Sequence, residues 1–352
     1  MKLLGFIGAC ILFLSLNQNT HAGTYITQGE AGPNRGPRAA AIEWFAQEVE
    51  RRSQGEVIID THWGGALLKA STAVQSISDG VSDMGTVIAT YFPQGMLGFS
   101  IADLPLDNPD TWVGLRATDE FMRTTESIKA DLARKNLVHI ATFTTTPVHI
   151  ACKGAIIRGL EDIKGKKIRG AGAYGKVFAE FGATTVNMNV YKTYQALDSG
   201  LIDCSQSYSY VIPALKLDEI IDSYTLLNWG QVGAVGLFMN KEIYDSMSAT
   251  NKAILEDVAK DTTDKFARLV EQANAAALQT MKDHANGRKI EVIELPEGDR
   301  LALLEAGQKH VDKWEMQASK AGFDGPALLA QYKSLLKKYE GEKLELGYPW
   351  ER

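Results

Sequence analysis

One uninterrupted helical pattern narrows the range of folds for this 352-residue chain more than any other feature. Residues 249–286 contain neither proline nor glycine, and apolar residues recur through them at helical spacing. Ser248 and Gly287 stand where an N-cap and a C-cap are expected. Such a helix would be about 57 Å long at 1.5 Å per residue, whereas a domain of ~150 residues is about 30–40 Å across. We therefore expect it to run along two domains, with two helices and an unmarked bend as the alternative.

Two series of alternating strands and helices precede this segment. The first predicts strands at 24–28, 56–61 and 83–87, with helices at 38–52 and 70–79. The second predicts strands at 148–152, 166–169, 186–188 and 202–205, with helices at 175–181 and 192–199. This alternation is typical of open α/β sheets with a parallel core, so we expect two α/β lobes.

The N-terminus has the pattern of a secretory signal peptide. Lys2 is followed by an apolar run over residues 3–16, and small or polar residues lead to Ala22. The run is shorter than the ~20 residues that cross a bilayer, and signal peptidase cleavage is expected after Ala22. We therefore predict a signal peptide at 1–22 and a soluble protein exported to the periplasm.

Charge and cysteine content exclude several classes. The chain has 37 basic and 43 acidic residues, a net charge of −6, which argues against a nucleic-acid partner. Its three cysteines form no C-x-x-C pair of the kind that binds structural zinc. Cys10 would leave with the signal peptide. Cys152 and Cys204 can pair in an oxidising compartment or remain buried thiols.

A glycine-rich turn is the one match to a cofactor motif, because G-x-S-x-G, H-E-x-x-H and P-loop sequences are absent. Residues 170–175 read G-x-G-x-x-G between a predicted strand and helix, which suggests a dinucleotide site. The position deep in the chain, the lack of an acidic residue near Val190 and the exported compartment argue against it. Small residues at a helix start still suit an anion, and Arg169 directly precedes them.

The segment around Arg169 resembles a known family. Residues 162–169, Asp-Ile-Lys-Gly-Lys-Lys-Ile-Arg, resemble the D-L-K-G-x-K-[IL]-R segment of DctP-type solute-binding proteins, the receptors of tripartite ATP-independent periplasmic (TRAP) transporters. Other segments resemble the family in the same order along the chain. These are 63–67 (with Trp63 in place of a proline), 75–85, 103–105 and 194–203.

The resemblance implies the two-lobe α/β fold of periplasmic binding proteins, with hinge-crossing strands and a long helix spanning both lobes. Lobe I would comprise residues 23–147 and about 232–265, and lobe II residues 148–231 and about 266–320. Residues 321–352 would form a C-terminal helical extension. The resemblance also implies that Arg169 binds the substrate carboxylate, with Lys153 as a second basic residue.

Departures from the family pattern suggest the kind of ligand. The family usually has asparagine and proline where this chain has Ser207 and Tyr208. Aromatic residues near the expected cleft would suit a monocarboxylate with an aromatic or apolar body, unless they belong to the core. Further candidate binding residues are Tyr210, Tyr174, Tyr91, Trp229, Thr145 and Asn34.

We therefore expect a monomeric receptor with no catalytic activity, no cofactor and no metal. It would deliver an organic acid to a TRAP membrane permease. Two alternatives stay open. One is an exported α/β enzyme that uses the turn at 170–175, and the other is a receptor that feeds a sensor.

Overall fold

The computed structural model describes residues 23–284 and 287–352, so the predicted signal peptide lies outside the described residues. One sheet contains β1 (Thr24–Gly29), β2 (Val57–His62), β3 (Met84–Ile88), β4 (Leu137–Phe143) and β10 (Val235–Asn240). Their spatial order is β2-β1-β3-β10-β4. The pairs β1–β2 and β1–β3 are parallel, whereas β10 is antiparallel to both of its neighbours. The predicted parallel core is therefore completed by an antiparallel strand that returns late in the chain.

The other sheet contains β5 (Val148–Cys152), β6 (Lys167–Arg169), β7 (Thr184–Val186), β8 (Cys204–Ser207), β9 (Ser223–Trp229) and β11 (Glu291–Glu294). Their spatial order is β11-β9-β5-β8-β6-β7. All strands of the first sheet fall in the segments assigned above to lobe I, and all strands of this sheet in those assigned to lobe II. We use that division as our proposal for the domain boundaries.

Helices cover the sheets, and most of them connect consecutive strands. They are α1 (Gly36–Arg52), α2 (Ala73–Ser78), α3 (Thr111–Thr124), α4 (Glu126–Arg134), α5 (Gly172–Glu180), α6 (Thr193–Asp198), α7 (Val211–Ala214), α8 (Lys241–Ser246), α9 (Ala249–Lys282), α10 (Glu297–Lys320) and α11 (Gly325–Leu346). Within the described residues, none of the helices combines the length and apolarity that a membrane span needs.

The long helix α9 links the two lobes. The side chain of Ser248 caps it by accepting a hydrogen bond from the Asn251 amide. Phe266 packs edge-on against Phe143 of β4, with ring centroids 5.0 Å apart, while Met281 lies in the apolar cluster of lobe II. The predicted helix is therefore continuous and spans both lobes. It ends at Lys282 rather than Asn286, because His284 adopts a left-handed conformation (φ 52°) that terminates helices.

The C-terminal helix α11 packs on lobe I. Tyr332 contacts Phe121 of α3 with ring centroids 5.6 Å apart, and Tyr339 contacts Trp112 at 5.7 Å. The hydroxyl groups of Tyr332 and Thr118 are 3.0 Å apart. The apolar face of α11 is thus covered by its own chain.

Candidate ligand-binding cleft

Two segments of chain cross between the lobes and pair with each other. Residues 144–147 lead from β4 to β5, and residues 230–234 lead from β9 to β10. The Thr145 amide donates to the Val232 carbonyl (3.1 Å), and the Val232 amide donates to the Thr145 hydroxyl (3.0 Å). This pairing joins the lobes along one edge and leaves a cleft between them.

The cleft holds a cavity with about 800 Å³ of free volume, including its opening to solvent. Both lobes line it, and most of the lining is aromatic or aliphatic. Its aromatic lining residues are Trp63, Tyr91, Tyr191, Tyr208 and Tyr210. A pocket of this size and composition is typical of small-molecule sites, in which a few polar groups orient an apolar ligand.

Arg169 is the buried cation of this cavity. It stands at the end of β6 and is 2% exposed. Its guanidinium donates to the Met188 carbonyl (3.2 Å), the Gln206 carbonyl (3.3 Å) and the Tyr91 hydroxyl (3.4 Å). Among the described residues, no carboxylate lies within ion-pair distance of it. A buried charge held by neutral acceptors is costly without a counterion, so the site suits an anion. A planar guanidinium can grip a carboxylate through two parallel hydrogen bonds.

Two arginines of lobe I line the same cavity, the exposed Arg35 and Arg38 of α1, and the sequence pattern indicated neither of them. The Arg38 guanidinium donates to the Tyr191 hydroxyl of lobe II. Burial acts to lower the pKa of Arg38, but Tyr191, Glu30 and Tyr210 outweigh it and raise that pKa above its usual value. The sequence feature that could have pointed to Arg38 is its position in the first turn of α1, where the helix dipole disfavours a positive charge.

The tyrosines present hydroxyl groups on otherwise apolar walls. Tyr208 and Tyr210 stack with ring centroids 6.4 Å apart. Burial raises the pKa of Tyr210 to about 12 and that of Tyr208 further, so both phenols are neutral. The Tyr91 hydroxyl accepts a hydrogen bond from the Val190 amide across the cleft (3.0 Å).

Half of the candidates from the sequence line this cavity: Arg169, Tyr91, Tyr208, Tyr210 and Thr145. Two others are not among its lining residues. Lys153 follows the far end of β5, where it donates to Asp198 at 2.8 Å. Asn34 is exposed and donates to Glu43 at 2.5 Å. We therefore leave Lys153 and Asn34 out of the proposed site.

Three candidates are buried behind the cavity wall. The Tyr174 hydroxyl donates to the Gln231 carbonyl (2.8 Å) and accepts from the Gln231 amide (2.9 Å). Trp229 packs on Tyr174, with ring centroids 4.7 Å apart. The Ser207 hydroxyl is buried without a hydrogen-bond partner among the described residues. Tyr174 is thereby tied to the crossing segment that contains Gln231, and none of the three is among the residues that line the cavity.

The glycine-rich turn packs against its own chain. A Cβ at Gly170 would lie 2.5 Å from the Gly175 Cα, so both positions need glycine for β6 to approach α5. The Ala171 amide donates to the Gln206 side chain at 2.8 Å. These contacts account for the motif without a nucleotide. In residues 23–284 and 287–352, no three His, Cys, Asp or Glu side chains converge as a metal site requires.

A comparison with known protein families identifies the family that this architecture belongs to. A family model described as bacterial extracellular solute-binding protein, family 7 (DctP), matches residues 29–317. That range includes every cavity residue named above. The chain belongs to this family.

Individual DctP-family relatives are distant. A solute-binding protein of Albidiferax ferrireducens is 26% identical over 242 residues, which cover 65% of this chain and 68% of the relative. The C4-dicarboxylate-binding periplasmic protein DctP of Rhodobacter capsulatus is 23% identical over 250 residues, which cover 70% of this chain and 74% of the relative.

Solved structures share the two-lobe fold. A TRAP periplasmic solute-binding protein from Desulfovibrio salexigens is 26% identical, with a TM-score of 0.78 over 91% of this chain and 98% of its own. A TRAP solute-binding protein from Rhodoferax ferrireducens, in complex with benzoate, is 20% identical, with a TM-score of 0.78 over 90% and 98%. This DctP-family chain is accordingly a TRAP periplasmic solute-binding receptor. Such receptors bind small organic ligands and work with membrane permease components.

Proposed function

We propose that this receptor captures an organic monocarboxylate with an aromatic or apolar body, held by Arg169 in the interlobe cleft. The observation that carries the proposal is the burial of Arg169 without an acidic partner in the described chain, at the edge of an aromatic cavity. One ligand carboxylate would neutralise the guanidinium, and the rest of the ligand would contact tyrosine rings and aliphatic side chains.

Binding would be coupled to closure of the lobes. Tyr91 of lobe I accepts hydrogen bonds from Val190 and Arg169 of lobe II, and these form when the lobes are close. A ligand that contacts both lobes has a higher affinity for the closed state and shifts the hinge equilibrium toward it. The closed protein would then be presented to the permease.

Ligands of the relatives vary too much to decide the class. The Rhodobacter capsulatus relative is named for C4-dicarboxylates, and another TRAP periplasmic protein, from Bordetella bronchiseptica, has bound mandelate. At 23% and 20% identity these names do not transfer to this chain. The proposal therefore rests on the charge and lining of its own cleft.

Export, oligomeric state and absence of turnover belong to the same proposal. We infer that residues 1–22 direct the chain to the periplasm, where it acts as a monomer without catalysis. The packing of α11 on α3 of its own chain supports the monomer. If the protein were an exported enzyme, it would convert its ligand to a product. If it were a receptor that feeds a sensor, it would not act together with a permease.

A thermal-shift screen of the protein from Gly23 onward against mono- and dicarboxylates tests the proposal. Ligands that bind the native state raise its melting temperature, and we expect the largest rise with aromatic monocarboxylates such as benzoate. Arg169→Ala should abolish that shift. Arg158→Ala, which removes an exposed arginine on the same lobe, is the matched control and should retain it. Equal shifts in wild type and Arg169→Ala would place the anion site elsewhere.

A further inference from the structure

Arg38 has more hydrogen-bond donors than its own chain uses. Within the residues that the structure describes, its guanidinium makes one hydrogen bond, to the Tyr191 hydroxyl, and no carboxylate lies within ion-pair distance of it. A guanidinium is a fork of several N–H donors without an acceptor. Because Arg38 is half-buried and lines the cavity, its other N–H groups can bond only to what the cavity contains.

The position of the Arg38 guanidinium is fixed by its surroundings. Its carbon lies 5.9 Å from the centroid of the Tyr191 ring, in addition to the hydrogen bond to the hydroxyl. A Cβ at Gly32 would come within 3.0 Å of both the Tyr191 side chain and the Arg38 guanidinium, so this close approach requires glycine in the loop between β1 and α1. Donors that are fixed before binding lose little freedom when a ligand bonds to them.

Arg169 and Arg38 approach the cavity from opposite lobes. The Tyr91 hydroxyl accepts hydrogen bonds from Arg169 and from the Val190 amide. The next residue along the chain, Tyr191, is the partner of Arg38. These contacts run along the cavity wall from one guanidinium to the other. A ligand whose carboxylate is bound by Arg169 therefore directs its other end toward lobe I.

Arg35, which also lines the cavity, differs from Arg38 in its exposure. It is the exposed N-cap residue of α1. Water hydrates its N–H groups and screens its charge whether or not a ligand is bound. A ligand that leaves Arg35 without a partner therefore loses little. A ligand that covers Arg38 without offering an acceptor leaves partly buried donors unpaired, which is costly.

We propose that Arg38 is a second ligand-binding residue, which selects carboxylates that carry another oxygen acceptor at the end away from Arg169. A ligand displaces water from the Arg38 N–H groups, so an acceptor on the ligand restores the lost hydrogen bonds and an apolar group does not. The ligand class becomes an aromatic or apolar-bodied monocarboxylate with an oxygen substituent. This inference rests on the proposed function, because it concerns the same ligand.

Matched pairs of probes isolate the acceptor. The compounds meta-acetylbenzoate and meta-isopropenylbenzoate have nearly the same shape and differ by a carbonyl oxygen in place of a methylene group. The para pair places the same groups farther from the carboxylate. Isothermal titration calorimetry measures each dissociation constant. In at least one pair, wild type should bind the acetyl compound about tenfold or more tightly than its isopropenyl partner, as expected for a hydrogen bond to a charged group.

Arg38→Met should remove that preference. Any change in closure that follows from loss of the bond to Tyr191 affects both members of a pair, so it cancels in the ratio of their dissociation constants. Arg51→Met is the matched control, because Arg51 is an exposed arginine of the same helix, and it should retain the preference. Arg38→Lys should narrow the preference, because a flexible ammonium lacks the planar fork, and it decides the matter if Arg38→Met does not fold.

Equal affinity of wild type for both members of each pair would overturn the inference. If Arg169→Ala abolishes that binding, the carboxylate receptor still stands. A preference that persists in both Arg38 variants, or that is lost in Arg35→Met alone, would also overturn the role of Arg38.

Two further outcomes bear on the proposed function itself. Failure of wild type to bind any of these probes would remove the proposed ligand class and this inference with it. Tighter binding of isophthalate than of meta-acetylbenzoate, lost in Arg38→Met, would support Arg38 as a ligand-binding residue and overturn the monocarboxylate class.

Discussion

Asp103 is a residue whose burial affects the pH dependence expected of the protein. It ends a 3-10 helix at Phe99–Asp103 and accepts a hydrogen bond from the Ala234 amide of a crossing segment (2.9 Å). Its second carboxyl oxygen is buried with no partner in the described residues. Burial raises the pKa of Asp103 to about 7, and the hydrogen bond from Ala234 offsets part of that rise.

We expect this group to destabilise the protein as the pH rises. Below about pH 4 it is protonated in both the folded and unfolded states. Between about pH 4 and 7 the unfolded chain releases the proton while the folded chain retains it, so the free energy of unfolding falls. A shift of this size corresponds to about 4 kcal/mol.

Asp103→Asn should remove that decline while its amide oxygen still accepts from Ala234. The measurement is the free energy of unfolding in urea, for variant and wild type, from pH 4 to 8. The variant should become more stable than wild type by an amount that grows with pH. Asp79→Asn, at an exposed position, is the control, and its stability relative to wild type should not depend on pH. The same pH-independent result for Asp103→Asn would contradict the role assigned to its burial.

At the level of secondary-structure elements, one covalent bond joins two strands of lobe II. Cys152 of β5 and Cys204 of β8 are directly opposite in the antiparallel register and form a disulfide. The sequence allowed either a disulfide or two buried thiols, and this pairing follows from the strand register. The two residues are 52 positions apart, so the bond closes a long loop.

Loss of this disulfide should destabilise the protein by about 4 kcal/mol, the chain-entropy value for such a loop. The double variant Cys152→Ser/Cys204→Ser, compared with wild type by urea unfolding, tests this. Wild type unfolded in a reducing agent should approach the variant. A reducing agent that fully reduces the bond without lowering stability would contradict the expectation.

For the whole molecule, the contacts across the cleft define the closed arrangement. Arg38 of lobe I donates a hydrogen bond to Tyr191 of lobe II. The Tyr91 hydroxyl of lobe I accepts hydrogen bonds from Val190 and Arg169 of lobe II. All of these would separate if the lobes rotated about the crossing segments. We therefore expect the free protein to be more open on average than the liganded one.

Small-angle X-ray scattering measures this directly. Addition of a ligand that shifts the melting temperature should reduce the radius of gyration, and the scattering should then fit the closed structure. Arg169→Ala with the same ligand should show no change, since it lacks the carboxylate contact. An identical radius of gyration with and without bound ligand would contradict coupling of binding to closure.

The cleft shows why sequence reasoning found some site residues and missed others. Arg169 was proposed because residues 162–169 resemble a motif of the DctP family, and its place at a strand end beside a glycine-rich turn agrees with where open α/β sheets bind ligands. Arg38 was missed because within its own helix it is one polar residue among several. Its place in the cleft becomes clear only from its contact with Tyr191, which is 153 positions away and on the other lobe.

The sequence by itself determined the series of strands and helices that begins each lobe, the two-lobe α/β class, the long helix and the family. These depend on local periodicity and on motifs that fit within a few turns of chain. The tertiary structure alone decided which side chains face the cleft, which groups contact each other across it and that Cys152 and Cys204 pair. Such relations arise where the crossing segments bring distant parts of the chain together, and local sequence patterns do not encode those distances.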